Sequence, residues 1–185
     1  MNLSAKTTAA NAALMGLGNT RRIVVGDTML DRYDPDEIET ILAHELGHHV
    51  HADIPKMIAL QTVVTLVGLY VVSVAAAWAV QRVGYGSLAD VGALPLLALV
   101  FGVFGAIAMP VSNTFSRWVE TQADEYAVSL TRKAEAFKRA MIRLANQNLA
   151  EVDPAGWVEF ILYDHPAISR RIRLAEQHIQ RHGQG

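Results

Sequence analysis

The sequence predicts a mainly α-helical protein with a small N-terminal β-hairpin and an inserted hairpin of two membrane-spanning helices. Three observations lead to this fold class. Hydrophobic residues recur at helical spacing at 38–50, 117–147 and 166–179. β-branched residues cluster at 23–25, next to turn-forming residues. Two long stretches without a charged residue separate the polar N-terminal part of the chain from the polar C-terminal part.

The N-terminal segment is predicted to form the β-hairpin. Residues 5–15 are rich in Ala and Thr, residues 16–20 supply turn chemistry, and a β-branched run follows at 23–25. We expect the second strand to be buried and the first to lie at an edge. An edge strand beside a catalytic helix can pair with an extended peptide through backbone hydrogen bonds, whereas a purely structural hairpin is the alternative.

A helix is predicted to follow the hairpin. Asp34 can act as its N-cap, Pro35 suits the first helical position, and Glu37 completes a capping box. Five apolar residues then follow at helical spacing, namely Ile38, Ile41, Leu42, Leu46 and Val50. The helix therefore has an apolar face to bury.

The same helix carries the sequence His-Glu-Leu-Gly-His at residues 44–48. Residues four apart lie on one helix face, so the imidazoles of His44 and His48 can converge on a single metal ion. Glu45 lies beside them as a carboxylate that does not bind the metal but takes a proton from the attacking water. This arrangement is typical of a zinc hydrolase, and a chance pattern on a buried helix is the alternative.

Two uncharged stretches follow this helix. Residues 57–81 form a run of twenty-five residues without Asp, Glu, Lys or Arg, and residues 91–116 form a run of twenty-six. About 20 apolar residues suffice to cross the hydrocarbon core. We therefore expect membrane spans at about 57–80 and 91–114, joined by a short link. Two core helices of a soluble domain are the alternative, but a soluble helix normally keeps a polar face.

Small residues and prolines lie within these stretches. Gly68, Gly102 and Gly105 are of the kind that lets membrane helices approach closely. Pro95 and Pro110 predict kinks in the second span. Together the two spans are expected to form a closely packed helical hairpin.

The basic residues indicate an orientation for this hairpin. Arg82 is the only base in the link, whereas Lys56, Arg117 and many further basic residues lie at the other end of the spans. Cytoplasmic segments carry an excess of Lys and Arg. We therefore expect the polar part of the chain to lie on the cytoplasmic side.

The C-terminal part of the chain is predicted to be helical. Residues 117–147 suit one helix, and Asp153 with Pro154 breaks it. Residues 156–163 form a short apolar segment, and a last helix starts at Pro166. A solvated face is the alternative to any functional role for the arginines of that last helix.

A catalytic zinc ion usually has three protein ligands, so one ligand is still missing. The metzincin arrangement needs a glycine and a further histidine after His48, but His51 and Ile54 occupy those positions. The other solution is a glutamate on a separate helix. Glu120 and Asp124 lie one helical turn apart, so Glu120 can bind the metal while Asp124 accepts a hydrogen bond from a ligand histidine. A surface pair of acids is the alternative.

The composition excludes several classes of protein. The formal net charge is −2 and there is no long basic tract, so nothing indicates a nucleic-acid partner. The chain has no cysteine, which excludes a disulfide scaffold and thiol catalysis. The oligomeric state is left open by the sequence.

These motifs together resemble those of a known family, the HtpX-like and CaaX-prenyl-protease-like membrane zinc endopeptidases, which are gluzincins. The resemblance covers most of the chain. It rests on residues 44–48 with His51 and Asp53, the spans before Glu120 and Asp124, the strand segment 11–25, His165-Pro166 and Arg171-Ile172.

The resemblance implies a gluzincin-type metalloprotease core interrupted by a transmembrane hairpin. Residues 1–56 would supply the strands and the zinc-motif helix, residues 57–116 the transmembrane hairpin, and residues 117–185 the helical remainder of the protease domain. One Zn²⁺ per chain would be held by the two histidines of the motif and by Glu120.

Further residues receive roles from the resemblance. Asn11, on the edge strand, would bind the substrate backbone, and His165 and Arg171 would lie near the scissile bond. His165 would stabilise the oxyanion, since a histidine donor aimed at a developing negative charge is an electrostatic catalyst. A plain His-Pro turn is the alternative. The resemblance also implies membrane spans before Asn11, which ten residues precede in this sequence.

We therefore expect a membrane-bound zinc endopeptidase that cleaves proteins near the membrane surface, with protein or peptide substrates and the lipid bilayer as partners. Membrane-protein quality control of the HtpX type is favoured over CaaX-type processing. An intramembrane site-two-type protease is opposed by polar residues around the motif, among them Glu37, Glu39 and Asp53. A catalytically silent zinc-binding sensor or scaffold would have no use for a base at Glu45.

Overall fold

The computed structural model describes residues 12–16, 20 and 22–182, and within these residues two strands and seven α-helices follow one another. Their bounds are β1 Ala12–Met15, β2 Arg22–Val25, α1 Asp27–Leu30, α2 Pro35–Val50, α3 Asp53–Val83, α4 Leu94–Thr131, α5 Ala134–Asn148, α6 Gly156–Leu162 and α7 Ile168–His182. The mainly α-helical fold with a small N-terminal hairpin is confirmed.

The hairpin is antiparallel and lies against α2 through β1. Ala12 pairs with Val25, and Met15 pairs with Arg22. The prediction of a buried second strand was wrong, because β2 is half-buried at 23–25 and exposed at Arg22. A two-stranded sheet packed on one helix layer leaves its other side uncovered. The part of the predicted first strand at 5–11 lies outside the described residues.

The N-terminus of α2 has the predicted cap. The backbone N–H of Asp34 donates to Glu37 Oε2 at 3.0 Å, and Pro35 is the first helical residue. Glu37 is fully buried, and its Oε2 lies 3.1 Å from Nε of Arg143 on α5. The start of the motif helix is thereby fixed to the C-terminal part of the chain.

α3 and α4 are long and apolar enough to cross a membrane. In the most apolar 18-residue window of each, 22% of the α3 residues and 6% of the α4 residues are buried. The core helix of a soluble domain would be mostly buried. The alternative of two soluble core helices is therefore disfavoured, since few residues of these apolar windows are buried.

The contact between α3 and α4 uses only one of the three glycines expected to support it. A Cβ added at Gly68 would lie 2.4 Å from Cε1 of Phe104, so glycine is needed there. A Cβ added at Gly102 or Gly105 would meet no atom of the described chain within 4 Å. Pro95 also differs from prediction, because it occupies the first turn of α4, where proline starts a helix without bending it.

The second apolar helix does not end where charge begins. α4 continues through Arg117 to Thr131 without a break. The single helix predicted over 117–147 was therefore wrong, because its first half belongs to α4 and its second half is α5. The chain reverses at Arg132, whose φ of 56° is in the left-handed region.

Beyond the apolar helices, the polar parts from both ends of the chain share one core. α2 packs on the C-terminal part of α4, and α5 packs on α2 and α7. The buried residues between them are Met29, Tyr33, Ile41, Ala43, Ala127, Val128, Ala134, Phe137, Ala140, Met141 and Ala175. This core holds α2 and α4 side by side at the level of residues 44–48.

Candidate metal centre

Three side chains meet between α2 and α4. His44 and His48 come from α2 and Glu120 from α4, and one donor atom of each lies within 4.8 Å of the others. The two Nε2 atoms are 3.2 Å apart. Glu120 Oε2 lies 3.3 Å from Nε2 of His44, and Glu120 Oε1 lies 3.4 Å from Nε2 of His48. The structure thus brings together the three ligands that the sequence indicates.

The spacing of these atoms suits a small divalent cation. A tetrahedral zinc ion with bonds of about 2.0–2.1 Å separates its donors by about 3.3 Å. The separation of 3.2 Å between the two Nε2 atoms is close to that value, and so are those of 3.3 and 3.4 Å to the two different carboxylate oxygens of Glu120. Two imidazole nitrogens and one carboxylate are also a donor set that catalytic zinc sites use. The residues present therefore fit a metal ion with an open fourth position.

Two further buried side chains hold His44 in place. Asp124, one helical turn after Glu120, places Oδ1 2.9 Å from Nδ1 of His44. Arg171 on α7 donates from Nε to Oδ2 of Asp124 at 2.8 Å. Asp124 and Arg171 are both buried. The chain from Arg171 through Asp124 to His44 orients the ring, so that Nε2 faces the other ligands.

The arrangement also sets the charge of His44. Burial opposes a charged ring, but hydrogen bonds to the carboxylates of Asp124 and Glu120 raise the pKa of His44 to about 9. Because a histidine binds metal in its neutral form, His44 would have to lose this proton in order to serve as a ligand.

His48 has a carboxylate partner of its own, which the sequence analysis missed. Nδ1 of His48 lies 3.0 Å from Oδ2 of Asp53, the first residue of α3. Lys56 Nζ donates to the other oxygen of Asp53 at 3.1 Å. The sequence pointed to Asp53 through the family resemblance and as a polar residue near the motif, but not as a partner of His48. Its separation of five residues from His48, across Ala52 with φ 55°, does not follow helical periodicity.

Close contact of α2 with α4 makes this geometry possible. A Cβ added at Gly47 would lie 3.1 Å from Cα of Ala123 and 3.3 Å from Cδ1 of Tyr126. Contacts of this kind between backbones are possible only where a side chain is absent or minimal. Gly47 therefore lets the two ligand-bearing helices approach each other.

The metal centre lies in a groove with two arms. The first arm, a cleft of about 390 Å³, runs from Glu45 and His165 towards an apolar floor that includes Ile41 and Met141. The second arm runs from the same residues towards the start of α3, where Ile54, Met57 and Ile58 line it. An extended chain placed along the groove would pass directly over the three ligands.

The remaining predicted site residues lie as follows. Glu45 lines both arms of the groove. His165 also lines both arms, with Nε2 3.5 Å from Glu120 Oε1 and Nδ1 2.9 Å from Asp164 Oδ1. Arg171 lines the first arm, although its guanidinium is occupied by Asp124. Asn11 lies outside the described residues, and its neighbour Ala12 lines both arms.

The chain is similar to proteins from several organisms. It is 37% identical over 181 residues to an uncharacterized metalloprotease, YhfN, of Bacillus subtilis, covering 96% of this chain and 42% of that protein. It is 34% identical over 125 residues to a CAAX prenyl protease 1 homolog of Dictyostelium discoideum, covering 65% of this chain and 29% of that protein. It is 27% identical over 173 residues to protease HtpX of Idiomarina loihiensis, covering 86% and 58%.

The fold has a counterpart among solved structures. The crystal structure of S. mikatae Ste24p matches with a TM-score of 0.71 and 24% identity, over 91% of this chain and 42% of that chain. The chain thus spans well under two thirds of the length of each of these proteins. Residues 1–179 of this chain match Peptidase family M48. The chain therefore belongs to peptidase family M48.

Proposed function

We propose that this chain is a zinc-dependent endopeptidase that cleaves proteins at a membrane surface. The observation that carries the proposal is the convergence of His44, His48 and Glu120, beside Glu45, where the two arms of the groove share their lining residues. An open groove suits the interior of a polypeptide better than a small molecule. Zinc is proposed because two imidazoles and a carboxylate at tetrahedral spacing are its usual catalytic ligands.

Glu45 is the proposed general base. A bound metal ion polarises the scissile carbonyl and lowers the pKa of water to about 7. Glu45 takes the proton of the attacking water and passes it to the leaving amine. A carboxylate next to the ligands, but on a residue that is not a ligand, suits this transfer.

His165 and the edge strand are proposed to hold the substrate. The exposed ring of His165 lies next to Glu120, so it can donate a hydrogen bond to the oxygen of the carbonyl under attack. β1 forms one wall of the groove at Ala12, and Asn11, the preceding residue in the sequence, is proposed to bind the substrate backbone. Arg171 is proposed to act through Asp124, in addition to lining the first arm.

α3 and α4 are proposed to span the membrane as a hairpin, with spans at about 57–80 and 91–114. The small buried share of their apolar windows supports this proposal. Residues 1–56 and 117–185 then share one side and form the protease domain, for which the cytoplasmic side is proposed from the basic residues. The second arm of the groove opens towards the membrane end of α3, so substrates emerging from the bilayer can reach it.

Membrane-protein quality control of the HtpX type is the proposed role, and CaaX-type processing is the alternative. Matches to HtpX relatives and to CAAX prenyl protease homologs both extend over most of this chain, so the extent of the match does not separate the two roles. The two roles are distinguished by incubating the purified protein with an unfolded membrane protein and with a prenylated C-terminal peptide. Cleavage of the peptide alone would contradict the quality-control role.

The test of the catalytic proposal is Glu45→Gln in the full chain in detergent. We expect the variant to keep its zinc and to lose at least about 10²-fold in cleavage rate of an unfolded protein, because the proton acceptor is gone. Zinc content is measured by atomic emission and cleavage by gel assay.

Glu120→Ala serves as the comparison, because it should lose zinc as well as activity. Undiminished cleavage by Glu45→Gln would show that Glu45 is not the general base. Full zinc content in Glu120→Ala would show that another residue is the third ligand. A zinc-loaded wild-type protein that cleaves nothing would favour a silent sensor or scaffold.

A further inference from the structure

The short helix α6 exposes its apolar residues to the outside. Trp157, Phe160 and Leu162 are 69%, 53% and 59% exposed. A helix on the surface of a water-soluble domain normally does the opposite and presents charged or polar residues to solvent. Single exposed apolar residues are normal on a protein surface, but here the large ones share one short helix.

The only charged residue of α6 points inward. Glu159 is buried, its Oε1 accepts a hydrogen bond from the backbone N–H of Ala167 at 3.0 Å, and its Oε2 lies 3.0 Å from Nη2 of Arg170. Burying a carboxylate is costly unless it is paired and hydrogen-bonded, as it is here. The outward face of α6 is left without a charge, which is the inverse of the soluble pattern.

α6 is attached to α4 at the height where the second span ends. Asn113 Nδ2 donates to the carbonyl oxygen of Ile161 at 2.6 Å, and Arg117 Nη1 donates to that of Glu159 at 2.9 Å. About 20 helical residues cross the hydrocarbon core, and twenty residues counted from Leu94 reach Asn113. The contacts with α6 therefore lie at the boundary between hydrocarbon and headgroups.

We propose that α6 is an interfacial helix that inserts Trp157, Phe160 and Leu162 into the lipid bilayer beside α4. The proposal rests on the membrane-spanning role proposed above for α3 and α4. Lipid is the occupant because α6 is attached to the face of α4 that carries Asn113, and Met109, one helical turn earlier on that face, is also an exposed apolar residue. Tryptophan at headgroup height and an uncharged outer face suit the membrane interface.

The position of α6 has a consequence for the groove. Only Tyr163 and Asp164 separate α6 from His165, and Arg117 also donates to the carbonyl oxygen of Tyr163. An α6 held in the interface thus fixes one wall of the groove relative to the lipid surface. The bilayer would then help to position His165 through its contact with α6.

The test uses the fluorescence of single tryptophans in the full chain reconstituted into lipid vesicles. Trp78→Phe with Trp118→Phe leaves Trp157 as the only tryptophan. Trp118→Phe with Trp157→Phe leaves only Trp78, which lies on the lipid-facing surface of α3. Glu39→Trp, in a protein lacking all three native tryptophans, supplies a matched control at the start of α2. Quenching is compared between lipids brominated near the headgroup, lipids brominated near the chain end, and aqueous acrylamide.

We expect Trp157 to be quenched most by lipids brominated near the headgroup and only weakly by acrylamide. Trp78 should be quenched by brominated lipid, and the tryptophan at residue 39 by acrylamide alone. Quenching of Trp157 by acrylamide but not by lipid would overturn the proposal while leaving the spans intact. Protection of Trp157 from both quenchers would overturn it in favour of a protein partner or a second copy. If brominated lipid does not quench Trp78, both the proposed membrane spans and the proposed interfacial role of α6 are contradicted.

Discussion

At the scale of single residues, the metal centre is organised by the carboxylates behind its histidines. Asp124 lies behind His44 and Asp53 behind His48, each within 3.0 Å of the Nδ1 atom. Such a carboxylate fixes the tautomer in which Nδ1 carries the proton and Nε2 is free for a metal. Each ligand histidine is therefore oriented by a different helix, His44 by α4 and His48 by α3.

The role of Asp53 can be tested with Asp53→Asn. The amide keeps the shape of the side chain but removes its charge, so the ring of His48 loses its charged partner and becomes a less restrained ligand. We expect zinc affinity to fall by about 10–100-fold, as is usual for partners of ligand histidines. Affinity is measured by competition with a chromophoric chelator. Asp90→Asn, in the link between α3 and α4, is the control, and equal affinities in both variants would contradict the role.

The sequence predicted the positions of some of these residues but not of Asp53. His44 and His48 follow helical periodicity, and so do Glu120 and Asp124, so their shared faces can be read from spacing alone. Asp53 reaches His48 only because Ala52 adopts a left-handed conformation between α2 and α3. Alanine carries no signal for that conformation, unlike glycine or asparagine. No periodic pattern could have placed Asp53 beside the metal centre.

At the scale of elements, the site depends on how closely α2 lies to α4. Gly47 is the point of contact, opposite Ala123. Since α2 carries two ligands and α4 the third, any increase in their separation lengthens the distances from Glu120 to both histidines. Helix packing and metal affinity are therefore coupled at this one residue.

Gly47→Leu should separate the two helices. The added side chain would meet the backbone of Ala123, which cannot move aside as a flexible side chain would. We expect the free energy of unfolding to fall by about 1–3 kcal/mol, the usual cost of overpacking, together with a loss of zinc affinity. Thermal unfolding and chelator competition measure the two effects. Gly102→Leu, where a Cβ meets open space, is the control, and a similar loss in both variants would contradict the argument.

Element boundaries were predicted less well than element types. The first charge after the second apolar stretch, Arg117, suggested a boundary, but α4 continues through it because helical hydrogen bonding does not require a constant environment. The real break at Arg132 has neither glycine nor proline to mark it. The capping box at Asp34 was found because it has a local sequence signature.

At the scale of the whole molecule, the two halves of the proposed protease domain are separated in sequence by the apolar hairpin and united in one core. Glu37 from the first half is paired with Arg143 from the second. Such a fold requires both ends of the hairpin to emerge on the same side of the membrane. The link between α3 and α4 must then lie on the opposite side.

This topology can be tested by single-cysteine labelling, since the chain has no cysteine of its own. We expect Gly86→Cys, in the link, to react with a membrane-impermeant thiol reagent applied to intact cells. Glu39→Cys, on α2, should react only after the cells are opened, as the cytoplasmic orientation requires. Reaction of both residues from the same side would contradict the hairpin, and the reverse pattern would contradict the orientation alone.

The unbroken course of α4 limits which peptide bonds are within reach. Glu120 follows Asn113 by two helical turns, so the ion would stand at most about 10 Å above the hydrocarbon edge. Because α4 is unbroken between these residues, the metal centre would not reach a peptide bond in the bilayer interior. Under the proposed function, a substrate from the bilayer would therefore be cleaved only where an extended stretch of it has left the lipid.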